Sequence, residues 1–367
     1  MSWRPIDCCS FDRRGRKMVD ADLSDTRLPE TYLEFDLTAF RNLSAVRPTH
    51  WILMTRFTLA SLAVVTTAVL AAASCAATAD TPPRTFGLSS QGENSGVATA
   101  FTTGDALDRS PEVINYFEAW AWERPLALDT LYDIHDRGAI PAVTWEPWHP
   151  DEGEYQERFR PARIAAGEFD EYITGWARSA AEFDQPMQLR FGHEMNGNWY
   201  PWSVDGSRST AEDYVAAYRR VHDIFLQAGA SKVQWVWSYD ASSDRPGGLD
   251  IAAQTYPGDL YVDLVGIDGY NGGGEGTYWQ TPDNLFADAI ATANSVAPSK
   301  PVWIYETGSG DALGDKAQWI TDLFAYLGTT RVSGLLWFDF DKPGEANWLL
   351  ESPQSALDSA RAALREW

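Results

Sequence analysis

The stretch PMQLRFGHEMN, residues 186 to 196, joins a short apolar run to polar residues at its end, and seven comparable runs occur beyond residue 80. Short runs rich in β-branched and aromatic residues predict β-strands. The other seven are RTFGLSS (84–90), VINYFEAW (113–120), IPAVTWEPW (140–148), KVQWVWSYD (232–240), VDLVGIDGYN (262–271), PVWIYETGS (301–309) and VSGLLWFDFD (332–341). We therefore expect eight strands.

The segments between these runs carry helical signals. One of them has apolar residues at helical spacing, namely Phe169, Tyr172, Ile173, Trp176, Ala180 and Phe183. Thr281-Pro282 and Ser352-Pro353 each predict an N-cap residue followed by proline at the first helical position. Strands that alternate with helices pair in parallel through crossover connections.

Eight strand–helix units predict an α/β fold, a single (β/α)8 TIM barrel. About 285 residues follow residue 80, and such barrels take roughly 250 residues plus insertions. A doubly wound open sheet is the alternative, but no GxGxxG follows the first run, and the barrel uses every segment. Because no linker, low-complexity stretch or internal repeat divides residues 80–367, we expect one domain there.

Residues 54–79 have the pattern of a signal peptide. Arg56 precedes an uncharged run that ends in the small residues Ala77-Thr78-Ala79, a candidate cleavage site. Alternatively, AASC, ending at Cys75, loosely matches a bacterial lipoprotein box and predicts a lipid anchor. We therefore expect a secreted protein or a cell-surface lipoprotein.

Residues 1–53 are unexpected in front of a signal peptide. We interpret them as a mis-assigned upstream segment, with translation starting at Met54, or as a disordered segment. An uncleaved signal anchor with an internal tail is the alternative. On either interpretation the domain of residues 80–367 is separate from them.

Composition narrows the partners of that domain. The chain has a net charge of -23, and because residues 1–79 hold 9 Lys/Arg and 8 Asp/Glu, residues 80–367 hold 20 against 44. Such an acidic domain repels phosphate backbones, so we expect no nucleic-acid partner.

All three cysteines precede residue 80, which excludes a disulfide framework or a cysteine metal site from the domain. Its 15 tryptophans offer flat apolar faces as well as core volume.

The C-terminal ends of barrel strands converge on one face, where the active sites of such barrels lie. In this chain those ends carry carboxylates, a histidine and aromatic rings, namely Trp145, Glu146, Trp148, His193, Glu194, Trp237, Tyr270, Glu306 and Trp337. Two carboxyl groups suit glycosidic bond cleavage, since one protonates the leaving oxygen while the other attacks the anomeric carbon. Indole rings can stack on the apolar CH faces of sugars.

RFGHEMNGNWYPW (190–202) together with IYETGS (304–309) resembles glycoside hydrolase family 26, and the resemblance spans residues 84 to 350. The family has a (β/α)8 barrel and retaining β-glycanase activity, with glutamates on strands four and seven. By this resemblance Glu194 is the acid/base and Glu306 is the nucleophile. His193, which replaces the asparagine of the larger clan, would bind near the sugar hydroxyls or orient the pair.

The resemblance also implies substrate contacts. Tyr270 would hydrogen-bond the nucleophile, and Trp337 would form the floor of the sugar site next to the cleaved bond. Glu146 would hydrogen-bond the substrate or instead brace Arg190. The remaining candidates line the cleft or form its buried wall, and they are Trp145, Trp148, Trp199, Trp202 and Trp237.

We expect an endo-β-1,4-mannanase that acts on a neutral β-linked polysaccharide or oligosaccharide, as a monomer without cofactor or metal. Two departures weaken the choice of mannan. Many family mannanases have WFWWG where this chain has WYPW, and a proline-containing turn is common where it has Ser238-Tyr239-Asp240. A mixed-linkage β-1,3-1,4-glucanase is therefore the alternative.

Two other classes of protein are weaker alternatives. A metal-dependent polysaccharide deacetylase would need about three His or Asp ligands from strand ends. His149-Pro150-Asp151 and His193-Glu194 do not supply a close histidine pair. A sugar-binding pseudoenzyme could lose a carboxylate, whereas this chain keeps both Glu194 and Glu306.

Overall fold

A computed structural model describes residues 84–90, 94–241, 247–273 and 278–367. The predictions for residues 1–53, the signal peptide at 54–79 and a lipid anchor at Cys75 lie outside the described residues. Within them, no helix is both long and apolar enough to cross a lipid bilayer.

Eight parallel strands close into a barrel in sequence order, which confirms the predicted (β/α)8 fold. They are β1 (Thr85–Ser89), β2 (Val113–Ala119), β3 (Ile140–Glu146), β4 (Met187–Phe191), β5 (Val233–Asp240), β6 (Leu264–Asn271), β7 (Val302–Ser309) and β8 (Val332–Phe338). Each of the eight predicted runs contains one strand. Ser238-Tyr239-Asp240 forms the end of β5.

Helices surround the barrel. They are α1 (Asn94–Ala106), α2 (Leu128–Asp136), α3 (Pro161–Ala165), α4 (Asp170–Phe183), α5 (Ala211–Gln227), α6 (Gly248–Gln254), α7 (Pro282–Val296), α8 (Lys316–Gly328) and α9 (Gln354–Glu366). A two-stranded hairpin, β9 (Asp341–Lys342) and β10 (Ala346–Asn347), lies between β8 and α9.

One of the two predicted helix starts is correct. Thr281 is the N-cap of α7, with Pro282 at the first helical position. At α9 the N-cap is Pro353, in extended backbone with ψ 172°, and the helix begins one residue later than predicted. Ser352 does not cap the helix because its hydroxyl accepts a hydrogen bond from Nδ2 of Asn347 at 3.0 Å.

Alternation along the strands separates two cores. Side chains that point outward pack against the helices and include most of the large buried rings. Side chains that point inward form an apolar cluster within the barrel, made of Val113, Ala142, Val236, Leu264, Tyr305 and Leu336. Polar side chains lie above this cluster, towards the C-terminal ends of the strands.

Strand β7 departs from strict alternation at the position that matters most. Its register against β6 shifts so that Asp268 pairs with Glu306 and Tyr305 is left as an extra residue. Tyr305 donates to Gln188 at 2.8 Å across the barrel, and Glu306, the next residue, also reaches an inward-pointing side chain, that of Arg190. A β-bulge re-aims a side chain in this way, and here it turns two consecutive residues into the barrel.

Candidate active site

Glu194 lies in a tight turn immediately after β4. Gly192 and Glu194 have φ angles of 55° and 51°, in the left-handed region that a residue with a side chain rarely adopts. The turn is held in place because the amide of Glu194 donates to the carbonyl of Ser238 on β5 at 3.0 Å. The backbone therefore fixes where the carboxyl group stands, as expected for strain stored at a functional site.

Glu306 accepts hydrogen bonds from two side chains. Arg190 Nη2 donates to its Oε2, and the hydroxyl of Tyr270 donates to its Oε1. The guanidinium of Arg190 is fully buried and also donates to Asp268 at 2.8 Å and to Thr144 at 2.9 Å. One cation thus serves two carboxylates, which fixes the position of Glu306.

Further hydrogen bonds connect this cation to the rest of the barrel. Thr144 donates to Asn115 at 2.9 Å, and Asn115 donates to Ser89 at 3.2 Å. On the other side, Ser238 donates to Asp268 at 2.7 Å. Burial raises the pKa of Asp268, while the neighbouring guanidinium opposes the shift and favours the carboxylate. The polar layer below Glu306 therefore spans strands from β1 to β7.

Glu146 is a second buried carboxyl group in this layer, at the end of β3 and 1% exposed. Burial raises its pKa to about 8, while the indole of Trp148 and the charge of Arg190 oppose the shift. Its Oε1 has no hydrogen-bond partner among the described residues. At neutral pH it is therefore a protonated group that can donate a hydrogen bond. It makes no hydrogen bond to Arg190 within the described part of the chain, and Arg190 donates instead to Thr144, Asp268 and Glu306.

Tyr270 hydrogen-bonds Glu306 and lies within the electrostatic range of Glu194. Burial is the main reason why the pKa of Tyr270 lies well above its ordinary value. The charge of Glu306 and the hydrogen bond to it raise this pKa further, and so does the charge of Glu194. Both carboxyl groups are therefore close enough to this hydroxyl to affect it. Glu194 also accepts a hydrogen bond from the indole of Trp199 at 2.6 Å, and that ring is partly exposed at the mouth.

His193 is buried beside the pair. Its Nε2 lies 3.2 Å from the hydroxyl of Tyr200, and its Nδ1 has no partner among residues that the structure describes. Burial lowers the pKa of His193 well below its ordinary value, and the charge of Arg190 lowers it further. The imidazole is thus neutral, and it can offer hydrogen bonds but no charge.

Three predicted substrate contacts are wrong because the side chains point outward. Trp145 is fully buried and stacks on Trp176 of α4, with ring centroids 4.3 Å apart. Trp237 packs edge-on against Tyr256 at 5.1 Å, and Trp337 packs against a tryptophan of α8. In each strand the residue that follows the tryptophan faces the interior of the barrel. These residues are Glu146, Ser238 and Phe338.

Two more predicted contacts are wrong because the rings lie beneath the loop after β4. Trp202 is 1% exposed, stacks on Tyr200 at 4.2 Å and donates to the carbonyl of His193 at 2.6 Å. Trp148 is 2% exposed and meets Tyr200 edge-on at 5.0 Å. Neither ring has a free face for a sugar, and both support the turn that carries Glu194.

Trp348 is a candidate that the sequence did not reveal. Its ring lies 4.9 Å from that of Tyr270, and a Cβ atom at Gly273 or Gly308 would stand 2.3 or 2.9 Å from it. Trp337 donates to the carbonyl of Trp348 at 2.6 Å, so it supports the ring next to the site instead of forming the floor itself. Trp348 follows the end of β8 by ten residues, and no local pattern marks it.

A buried lysine holds the segment that carries Trp348. Lys316, at the start of α8, is 2% exposed and donates to the carbonyls of Asn347, Leu349 and Ser352 at 3.0, 2.6 and 2.9 Å. Burial lowers its pKa to about 8, while nearby acidic groups oppose the shift. The aromatic wall is therefore anchored to the barrel by charge-assisted hydrogen bonds.

Arg190 and Asp268 are the other two groups that the sequence did not identify as functional. A charged residue inside the apolar run MQLRF was a usable signal, because a strand buried on both faces tolerates arginine only when it is paired. Within the described residues, no three His, Cys, Asp or Glu side chains lie close enough together to hold a metal ion.

Comparisons with known proteins agree with this architecture. The family model for glycosyl hydrolase family 26 matches residues 164–298, a range that includes Glu194. Endoglucanase H from Acetivibrio thermocellus is 35% identical over 268 residues, which are 71% of this chain and 28% of that protein. A mannan endo-1,4-β-mannosidase from Bacillus subtilis is 31% identical over 90 residues, or 23% of each chain.

Among solved structures, the catalytic domain of the endo-β-1,4-mannanase from Bacillus sp. JAMB-750 superposes with a TM-score of 0.60. The match covers 77% of this chain and 86% of that one at 19% sequence identity. At this identity the likeness concerns the fold. This chain spans about a quarter of the length of the two curated relatives named above.

Proposed function

Because the chain belongs to glycoside hydrolase family 26, we propose that it is a retaining endo-β-glycanase in which Glu306 is the nucleophile and Glu194 the acid/base. The observation that carries the proposal is that Tyr270 donates to Glu306 and also lies within the electrostatic range of Glu194. Two carboxyl groups across the cleaved bond are what double displacement requires.

In the first step, Glu194 gives its proton to the glycosidic oxygen as the bond from that oxygen to the anomeric carbon breaks. Glu306 attacks the same carbon, and an ester bond forms. Arg190 and Tyr270, which hydrogen-bond both oxygens of Glu306, hold the attacking carboxylate in position. Orientation of this kind lowers the activation barrier because the carboxylate loses little conformational freedom on reaching the transition state.

In the second step, a water molecule gives a proton to Glu194, and the oxygen of this water attacks the anomeric carbon. The ester bond breaks, and Glu306 returns to a carboxylate that Arg190 and Tyr270 stabilise. Two inversions give net retention. Glu194 acts first as acid and then as base, so it ends each cycle in the state in which it began.

Three further groups would position the sugar. The protonated Glu146 and the unpartnered Nδ1 of His193 can hydrogen-bond sugar hydroxyls at the barrel mouth. Trp348 is only 4% exposed, so it would act indirectly, through its contact with the ring of Tyr270. None of these three roles requires a metal or an organic cofactor.

For the substrate, we place β-glucan first, including mixed-linkage β-1,3-1,4-glucan. The relative that aligns over 71% of this chain is named an endoglucanase, whereas the mannanase aligns over 23%. The WYPW segment, which departs from WFWWG, supports the same choice. β-1,4-Mannan, the substrate predicted first from the sequence, is the second candidate.

A reducing-sugar assay on lichenan, barley β-glucan, galactomannan and β-1,3-xylan tests the proposal. We expect the highest rate on one of the two glucans. Hydrolysis of galactomannan without hydrolysis of the glucans would reverse the order of the two substrates. If none of the four released reducing ends, the proposed enzyme class would be wrong, and retained binding to a polymer would indicate a sugar-binding protein.

A further inference from the structure

Tyr155 is an exposed ring at the C-terminal face of the barrel, in the connection between β3 and α3. It is 73% exposed, in contrast to the rings around Glu194. The guanidinium of Arg208, in the connection between β4 and α5, lies over the ring at 5.2 Å from its centroid. One face of the ring is therefore covered by the guanidinium, while the residue as a whole remains 73% exposed.

Arg208 is an unusually rigid support. It is 6% exposed, and its Nε donates to Asp205 at 2.6 Å. Its Nη1 donates to the carbonyls of Asn198 and Tyr200 at 2.9 and 3.2 Å. The planar guanidinium is thus held by the loop after β4, and its charge is balanced by Asp205.

The loop that carries Tyr155 is held as firmly. The side chain of Gln156 accepts a hydrogen bond from the amide of His149 and donates to the carbonyls of His149 and Gly153, at 2.8, 2.8 and 2.6 Å. These bonds hold the backbone next to Tyr155, and the contact with Arg208 orients its ring. Binding to a preorganised ring costs less conformational entropy than binding to a mobile one.

The contacts of Arg208 place this ring relative to Glu194. The two carbonyls that it binds belong to the residues on either side of Trp199, whose indole donates to Glu194. A path of contacts therefore runs from Glu194 through Trp199 and the adjoining backbone to Arg208 and Tyr155. In the proposed mechanism Glu194 protonates the leaving oxygen, so this path lies on the leaving-group side of the cleaved bond.

We propose that Tyr155, supported by Arg208, is an outer binding platform for a sugar unit on the leaving-group side of a neutral β-linked polysaccharide. The proposal rests on the proposed function, because that function assigns the leaving-group side to Glu194. Stacking of a sugar on the open face of Tyr155 lengthens the stretch of polymer that the enzyme holds, without touching the reacting atoms.

The surroundings favour a neutral sugar over other ligands. Arg208 pairs with Asp205 and Arg160 pairs with Glu157, so neither cation is left to attract an anionic polymer. A docked protein would need a contiguous apolar patch of a few hundred Å². Tyr155 stands instead among charged neighbours, which suits a narrow polar chain that presents one flat face.

The test compares Tyr155→Ala with Tyr132→Ala in the full-length protein. Tyr132, in α2, is the matched control because it is also an exposed tyrosine, at 39%. Each variant is assayed on β-glucan polymer and on an aryl β-glycoside, whose leaving group has no sugar to reach the platform. Taking the about 0.5–1.5 kcal/mol of an aromatic pair as the scale for a stacked sugar, we expect kcat/KM on polymer to fall about twofold to twelvefold in Tyr155→Ala.

On the aryl glycoside Tyr155→Ala should match the wild type, Tyr132→Ala should match it on both substrates, and Tyr155→Phe should retain activity on polymer. Equal losses on polymer and aryl glycoside, or no loss on polymer, would overturn the platform. If the wild type hydrolysed no polymer, the proposed function would fail by itself. Retardation in a gel containing β-glucan would then test the platform, which requires that Tyr155→Ala be retarded less than Tyr132→Ala.

Discussion

The two glutamates at the barrel mouth have opposite surroundings. Glu306 stands on a strand, above a fully buried cation, and accepts hydrogen bonds from Arg190 and Tyr270. Glu194 stands in a turn after its strand, above stacked rings, and accepts a hydrogen bond from the neutral indole of Trp199. One side of the mouth is organised by charge and the other by aromatic packing.

This difference matches the two proposed roles. A nucleophile has to remain an anion, and a guanidinium with a phenol is suited to hold one. An acid/base has to gain and lose a proton in each cycle, and a neutral neighbour does not fix either state. Substitutions on the two sides should therefore have different consequences.

Removing the carboxyl groups gives the largest expected effects. Glu306→Ala should lose activity on every substrate, because the first step has no nucleophile. Glu194→Ala should lose about 10²- to 10⁴-fold on polymer, the usual contribution of general acid catalysis. On an aryl glycoside with an activated leaving group its first step should survive, seen as a burst of released phenol. A variant of either residue with near-wild-type activity on polymer would show that the residue is not catalytic.

Removing the buried guanidinium of Arg190 should lower the free energy of unfolding. Arg190→Met leaves Asp268 and Glu306 without their partner, and loss of one member of a buried ion pair costs about 3–5 kcal/mol. Arg220→Met is the control, because Arg220 and Asp170 form a partly exposed pair, at 37% and 43%, and solvent-screened pairs contribute about 1 kcal/mol or less. Urea unfolding measures both. Similar losses in the two variants would contradict the account of the polar layer.

On the aromatic side, two neighbouring tryptophans should separate stability from activity. Trp202→Ala removes a buried ring and should lower the free energy of unfolding by about 3–5 kcal/mol. Trp199→Ala removes a partly exposed ring that contacts Glu194, so it should reduce kcat/KM more than stability. Thermal unfolding and activity per folded molecule distinguish the two. The reverse pattern would place Trp202 in the site and Trp199 in the core.

The smallest expected effect concerns the pH dependence of stability. Folding raises the pKa of Glu146 from 4.5 to about 8, so the folded protein keeps a proton that the unfolded chain releases. This contribution to stability is complete below pH 4.5 and is lost as the pH rises through 8.

Glu146→Gln cannot ionise, so its Tm should equal that of the wild type near pH 4.5 and exceed it at pH 8.5 by about 2–4 °C or more. Asp268 titrates in the same direction, so the variant should flatten the pH dependence without abolishing it. A Tm difference that is independent of pH would show that Glu146 is ionised in the folded protein.

Periodicity predicted the fold better than it predicted the site. All eight strands lie within their predicted runs because short apolar segments between helical patterns permit one architecture. The errors at Trp145, Trp237 and Trp337 have one cause, because a position at the end of a strand does not say which face of the sheet the side chain occupies. Their neighbours Glu146 and Ser238 point into the barrel.

Two features were beyond any local pattern. Strict alternation would turn Glu306 outward, because Tyr305 already faces the interior, and only the bulge in β7 brings both inside. Trp348 reaches the mouth through a segment held by the buried Lys316, a contact between residues 31 to 36 positions apart. A resemblance to a family identified the first residue, and neither periodicity nor composition identified the second.

Azide rescue of the two glutamate variants tests the central claim most directly. In Glu306→Ala, azide in the vacated space would attack the anomeric carbon from the face that Glu306 occupied, and NMR of the glycosyl azide should show inversion. In Glu194→Ala, azide needs no general base and would open the ester formed by Glu306. The glycosyl azide should therefore keep the anomeric configuration of the substrate. Glycosyl azides of the same anomeric configuration from both variants would contradict the assignment.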